Sequence, residues 1–131
     1  MALNTPELTA DFVADAEAML NQFDENLMDL ATAPQDEELL TDSRRIVHTL
    51  NGTAGFLGFS GLCEVAKAGE QLLSRLCEGA LQLSRERLRC LQDTSEVLRG
   101  WAQRIADGSP IPCARHERLL SELMRLAQSD R

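Results

Sequence analysis

Arg44-Arg45-Ile46-Val47-His48-Thr49-Leu50-Asn51-Gly52-Thr53-Ala54-Gly55-Phe56-Leu57-Gly58-Phe59 reads as the second half of an amphipathic helix with a histidine on its outer side. Leu39, Ser43, Ile46, Leu50 and Ala54 recur at three- and four-residue steps and form one stripe from a capping Asp36 to about Leu57. At about 100° per residue, His48 lies about 200° from both Ile46 and Leu50, so burying those two turns the imidazole to solvent. Arg44, Arg45, Asn51, Gly52 and Gly55 fall within about 60° of it. Two of these five are glycines, and each costs the helix roughly 0.5–1 kcal/mol relative to alanine. Clearance for an approaching partner is one reason for that cost; the plainer reading is that Gly52, Gly55, Gly58 and Gly61 loosen and end the helix, and it is preferred for Gly58 and Gly61.

The chain on either side is helical too. Asn4-Thr5-Pro6-Glu7 is a helix start, with a capping side chain, a proline where its missing N–H does no harm and an acid in the first turn. Phe12, Ala16, Met19, Phe23, Leu27 and Leu30 continue it over 5–32, until Ala33-Pro34 stops it. Leu62, Val65, Gly69, Leu72 and Leu76 mark a third helix over 60–78, with Gly79 at its end. Leu88, Leu91, Leu98, Ala102 and Ile105, with Trp101 beside them, mark a fourth over 84–106. Asp107-Gly108-Ser109-Pro110-Ile111-Pro112 breaks the chain before a fifth over 114–127, carried by Leu119, Leu120, Leu123 and Leu126. Short connections between amphipathic helices predict an all-α antiparallel up-down four-helix bundle with the fifth helix packed on it. The expected domain is 1–127, with 128–131 the start of a linker.

Few aromatics, no Tyr and 131 residues agree with a single helical domain. The net charge of −8 is uneven, because residues 1–42 hold eleven acids and no Lys or Arg. Such a surface repels phosphate backbones and anionic lipid, which argues against nucleic acid and membrane as partners. No apolar run approaches the ~18 residues of a spanning helix, and the start has no signal-peptide pattern, so a cytoplasmic location is expected. Cys63, Cys77, Cys90 and Cys113 form no C-x-x-C pair and read as free thiols. The glycines of 52–61 lack the G-K-[ST] ending of a phosphate-binding loop, and neither His48 nor His116 follows a glutamate by three residues as a bundle metal site would want. No Ser/His/Asp or Cys/His pairing has recognisable spacing. An enzyme acting alone and a metal-binding bundle are therefore disfavoured, and His116 is expected at the surface with no role.

The stretch 44–59 resembles the phosphoacceptor motif of histidine phosphotransfer domains, in particular the amino-terminal domain of CheA-type chemotaxis histidine kinases. His48, Leu50, Gly52, Ala54, Gly55, Gly58 and Phe59 carry the likeness, which continues through Leu62 and Glu70-Gln71-Leu72-Leu73. The resemblance implies that His48 accepts the γ-phosphoryl of ATP from a kinase catalytic domain and hands it to an aspartate of CheY-like or CheB-like receiver domains. It implies a carrier that is no enzyme by itself but part of a histidine kinase, with ATP and Mg²⁺ on partner domains and no cofactor or metal of its own. Such a domain is expected to be monomeric in isolation. Glu70 matches the glutamate that holds the histidine Nδ1–H, leaving the Nε2 lone pair free to attack; pairing with Lys67 or Ser74 on a solvated face is the simpler alternative. Asn51 stands where the family usually has a lysine, and Lys67 stands where a second histidine is common, so Lys67 is a candidate to supply the missing charge. Partners are expected to dock on Arg44, Arg45, Asn51, Gly52, Gly55 and Phe56, with Lys67, Gln71 and Ser74 across the groove, although Phe56 could equally be core. The rival readings are an interaction module of the same fold that no longer transfers phosphate, and a free-standing phosphorelay intermediate.

Overall fold

The computed structural model describes residues 6–108 and 114–128, and the described part is five helices joined by turns. They are α1 (Pro6–Leu30), α2 (Glu37–Leu57), α3 (Ser60–Cys77), α4 (Arg85–Asp107) and α5 (Ala114–Leu126). α1 packs on α2 and α4, α3 packs on α2 and α4, and α5 lies against α3 and α4. This is the expected four-helix bundle with an added helix.

The helix ends follow from local chemistry. Asp36 caps α2 by accepting the Leu39 N–H at 3.1 Å, and Ser84 caps α4 by accepting the Arg87 N–H at 3.1 Å. Gly58, Gly79 and Gly108 close α2, α3 and α4 with φ of 87°, 77° and 72°, a left-handed backbone that glycine adopts without penalty. α1 stops at Leu30, two residues short of expectation. Pro34 has no N–H to offer the Leu30 carbonyl and its ring crowds that oxygen, so Ala31 and Thr32 are turn. The expected cap at Asn4-Thr5, the break at 109–112 and Cys113 lie outside the described residues.

The core runs the length of the bundle. Leu20, Phe23, Leu27 and Leu30 of α1 meet Ile46, Val47 and Leu50 of α2, Leu72 and Leu73 of α3 and Leu91 and Leu98 of α4, all fully buried. Each such side chain contributes roughly 1.5–3 kcal/mol by leaving water. Leu39, Met19, Leu88, Leu120 and Ile105, expected inside, are only partly covered, because the stripe of each helix is wider than its contact line. Ser43, placed in the α2 stripe, is indeed buried, and its hydroxyl finds no hydrogen-bond partner. Cys63, Cys77 and Cys90 are free thiols, and burial pushes Cys90 up to about 12, which makes it inert.

α1 is zipped to its neighbours by polar pairs. Asp24 accepts from Arg99 and from Ser95 of α4, both at 2.6 Å, so part of the acidic charge is neutralised within the fold. Asn26, nearly fully buried, donates to Asp42 of α2 at 2.9 Å. Together with Arg45 this holds the Asp42 carboxyl below its usual range.

Arg87, which the helical pattern did not single out, clamps α5. It is 6% exposed, and its guanidinium donates to the carbonyls of Leu126 (2.9 Å), Gln128 (3.3 Å) and Gln82 (3.0 Å). Gln128, expected to begin a linker, is thus tied to α4; residues 129–131 lie outside the described part. Replacing Arg87 by Met keeps the aliphatic stem and removes bonds worth roughly 1.5–3 kcal/mol each to charged donors. Chemical denaturation of Arg87→Met should show a loss of at least about 2 kcal/mol, and hydrogen exchange should show α5 losing protection first.

Candidate functional site

The site grows out of the α2–α3 hairpin. Leu57 is the last residue of α2 and Ser60 the first of α3, with only the left-handed Gly58 and Phe59 between them. So short a turn leaves the two helices antiparallel and fixes which residues meet. Ile46, Val47, Leu50, Ala54 and Leu57 bury the inner side of α2, and Leu62, Val65, Ala66, Leu72 and Leu73 bury that of α3. His48 and Glu70 are left at the outer edge of the seam.

There the His48 Nδ1 lies 2.7 Å from Glu70 Oε2. The imidazole is 69% exposed and the carboxylate 23%. A carboxylate offers only acceptors, so the ring must carry its proton on Nδ1. In the neutral ring Nε2 then keeps its lone pair, on a side chain that is mostly exposed. Glu70 takes this partner from across the helix interface and not from Lys67 or Ser74 on its own helix. A hydrogen bond to a carboxylate at so exposed a site adds little to folding, so its consequence is orientation of the ring.

Lys67 and Asn51 stand one turn from the pair, Lys67 before Glu70 on α3 and Asn51 after His48 on α2. Lys67 is exposed and makes no ion pair among the described residues; Asn51 is half-buried, with Cys63 Sγ 2.6 Å from its Oδ1. Both border an open groove of about 790 Å³ with Glu70, Gln71, Ser74 and Arg75, whose far wall is Met124, Ala127 and Gln128 of α5.

The expected docking residues divide by position. Arg45, Gly52, Gly55 and Phe56 are exposed on α2 and Gln71 on α3, while Arg44 and Ser74 are half-buried in the seam. Phe56 is 65% exposed, which settles it as surface and not core. Arg45 is held by Asp42 at 2.8 Å, one turn back. A Cβ on Gly52 would meet nothing within 4 Å, and one on Gly55 would touch only Cys63 Sγ at 3.6 Å, an ordinary contact. Packing within the domain requires neither glycine.

Two residues were missed by sequence reasoning. Met124, 57% exposed, forms part of the groove, and its position just off the Leu119-Leu123-Leu126 stripe was the available signal. His116 was expected at the surface, yet its side chain is 13% exposed. It stands edge-on to Trp101 with ring centres 5.4 Å apart, its Nε2 is 3.1 Å from Glu64 Oε1, and its ring lies over Gly61. α5 folds back across α3 and α4 and covers it. Gly61 therefore sits inside the first turn of α3 under this imidazole and does not end a helix.

Among the described residues no three His, Cys, Asp or Glu side chains gather to hold a metal ion, and no helix is long and apolar enough to cross a membrane.

Known proteins resemble the chain along most of its length. The chemotaxis protein CheA of Salmonella typhimurium is 24% identical over 127 residues, 97% of this chain but 19% of that protein. The sensor histidine kinase CheAY of Helicobacter pylori is 31% identical over 78 residues, 60% of this chain and 10% of that protein. Among solved structures, the phosphorylated P1 domain of CheA3 in complex with CheY6 from R. sphaeroides superposes with a TM-score of 0.85 at 21% identity, covering 94% of this chain and 97% of that one. A solution structure of the histidine phosphotransfer domain of CheA gives the same TM-score and identity over 97% of this chain and 96% of its own. The Hpt domain model matches residues 7–108, including the whole of α2, α3 and α4 with the His48–Glu70 pair, and the chain therefore belongs to the Hpt domain family.

Proposed function

We propose that this domain is the phosphoryl carrier of a CheA-type chemotaxis histidine kinase. The Nε2 lone pair of His48 attacks the γ-phosphorus of ATP held by the kinase catalytic domain, ADP departs, and an N–P bond remains on the imidazole. A carboxylate oxygen of a receiver aspartate, CheY-like or CheB-like, then attacks the phosphorus and the bonding pair returns to Nε2. Glu70 keeps the proton on Nδ1 throughout, as the orienting acid does in a catalytic triad. ATP and Mg²⁺ belong to the partner domains, and this domain contributes the nucleophile but no catalyst of its own. It works in the cytoplasm and needs no second copy of itself.

The observation that carries the reading is the exposed imidazole pinned through Nδ1 by Glu70 at 2.7 Å. The family and the kinship with chemotaxis kinases support it, and one structural neighbour is itself phosphorylated and bound to CheY6. Asn51 in the usual lysine position favours a second reading, an interaction module that no longer carries phosphate. Lys67 answers that reading, because an ammonium that makes no ion pair among the described residues borders the groove beside Glu70 and can supply a charge for the phosphoryl oxygens.

The domain and its His48→Gln variant, given the catalytic region of a chemotaxis kinase and labelled ATP, should differ absolutely: acid-labile label on the wild type only, lost when a receiver is added. Wild type that takes no label from the kinase of its own cell establishes the non-transferring module. Glu70→Gln should slow labelling by about ten- to a hundredfold, the loss seen when a carboxylate orienting a metal-bound imidazole is removed, while its unfolding transition barely moves. Lys67→Ala should slow it too, and an unchanged rate removes Lys67 from the site.

Gly52→Ala separates stability from docking. Free space around its Cβ means that the substitution should raise stability by roughly 0.5–1 kcal/mol through helix propensity, while transfer slows because a partner must pass over the added methyl. A stabilised variant that transfers at the wild-type rate refutes the clearance role.

A further inference from the structure

Asn51 poses a chemical problem for any phosphoryl group on His48. A carboxamide has two ends of opposite character, an oxygen that accepts and a nitrogen that donates two N–H bonds. If it is free to turn over, it presents its oxygen to the anionic phosphoryl oxygens in one of its two orientations and repels them. A lysine in this place needs no such orientation, because every face of an ammonium donates.

The chemistry of the neighbouring side chain favours one orientation of the amide. Cys63 of α3 sits beside Gly55, one turn beyond Asn51 on α2, and its Sγ is 2.6 Å from Asn51 Oδ1. The thiol is a donor and sulfur only a weak acceptor, so the oxygen is the end of the amide that belongs there. Cys63 is half-buried, which keeps water from competing strongly for the same bond. Asn51 Nδ2 is then the end left for the groove that Asn51 borders with Lys67 and Glu70.

We infer that Cys63 is a positioning residue of the phosphoryl site, holding the Asn51 carboxamide by its oxygen so that the amide nitrogen and Lys67 together face the phosphoryl group on His48. The inference rests on the proposed carrier role for its chemical meaning. It makes the neutral amide serviceable where a charge is usual, and it gives a half-buried cysteine a task that its lack of a disulfide partner does not explain.

The test uses the whole domain with the kinase catalytic region. Asn51→Ala should slow labelling of His48 by about fivefold and Cys63→Ala by about two- to fivefold, the size of one neutral hydrogen bond. Cys63→Ser, which keeps a donor, should recover most of the rate. In the Asn51→Ala background, Cys63→Ala should cost nothing further, since its effect passes through the amide. Independent, additive losses would mean that Cys63 merely packs, and a Cys63→Ala rate equal to wild type would overturn the proposal outright. Nuclear Overhauser effects between the Asn51 side-chain N–H₂ and Lys67 in the unphosphorylated domain read the orientation without any kinase. They should be present in wild type and Cys63→Ser and lost in Cys63→Ala; their absence in wild type contradicts the assignment. A wild type that takes no label but shows these contacts sinks the carrier role and, with it, the phosphoryl part of the inference, while the amide orientation stands.

Discussion

The antiparallel register of α2 against α3 is the constraint on which the site depends. A helix residue turns about 100° from its neighbour, so a slip of one position in either helix carries His48 or Glu70 out of the seam. Two devices prevent the slip. One is the two-residue turn at Gly58-Phe59, possible because glycine takes the positive φ there without strain. The other is the pair of buried stripes, Ile46 to Leu57 and Leu62 to Leu73, whose burial is worth far more than anything the exposed pair contributes. The core sets the geometry and the surface uses it.

The distribution of energy makes the same point. His48–Glu70 is too exposed to stabilise the fold appreciably, and Gly52 and Gly55 weaken the helix that bears them without relieving any internal contact. A face selected for stability alone would carry alanine there and no bare imidazole. Both glycines share the face of α2 that bears His48, where the proposed transfer would bring a partner. On the other side of the bundle, α1 keeps the strongest acidity, part of it paired with Arg99 of α4.

How much of this was legible in the sequence depended on the range of the interaction. Periodicity located all five helices and turned His48 outward, because burial of Ile46 and Leu50 is a statement about one helix. Glu70 came from family resemblance, since no spacing within a single helix connects residues 22 apart; in the structure its carboxylate lies 2.7 Å from His48 Nδ1. What stayed hidden was set by helices meeting. His116 reads as surface until α5 lays it on Trp101, Arg87 is singled out by no helical pattern and shows its part only where it reaches Leu126 and Gln128, and the Cys63 thiol needs α2 beside it to find Asn51. The overrun of α1 to residue 32 had a local cause that could have been read, since Pro34 deprives the Leu30 carbonyl of its donor.

The claim beneath the account is that Glu70 fixes the tautomer of His48. Long-range ¹H–¹⁵N correlation spectra of the imidazole, recorded above the pH at which the ring is protonated, report directly which nitrogen carries the proton. The account predicts an Nδ1–H tautomer with a bare Nε2 in the wild type and a shift toward Nε2–H in Glu70→Ala. An Nε2–H tautomer in the wild type, or a tautomer indifferent to Glu70, would contradict it.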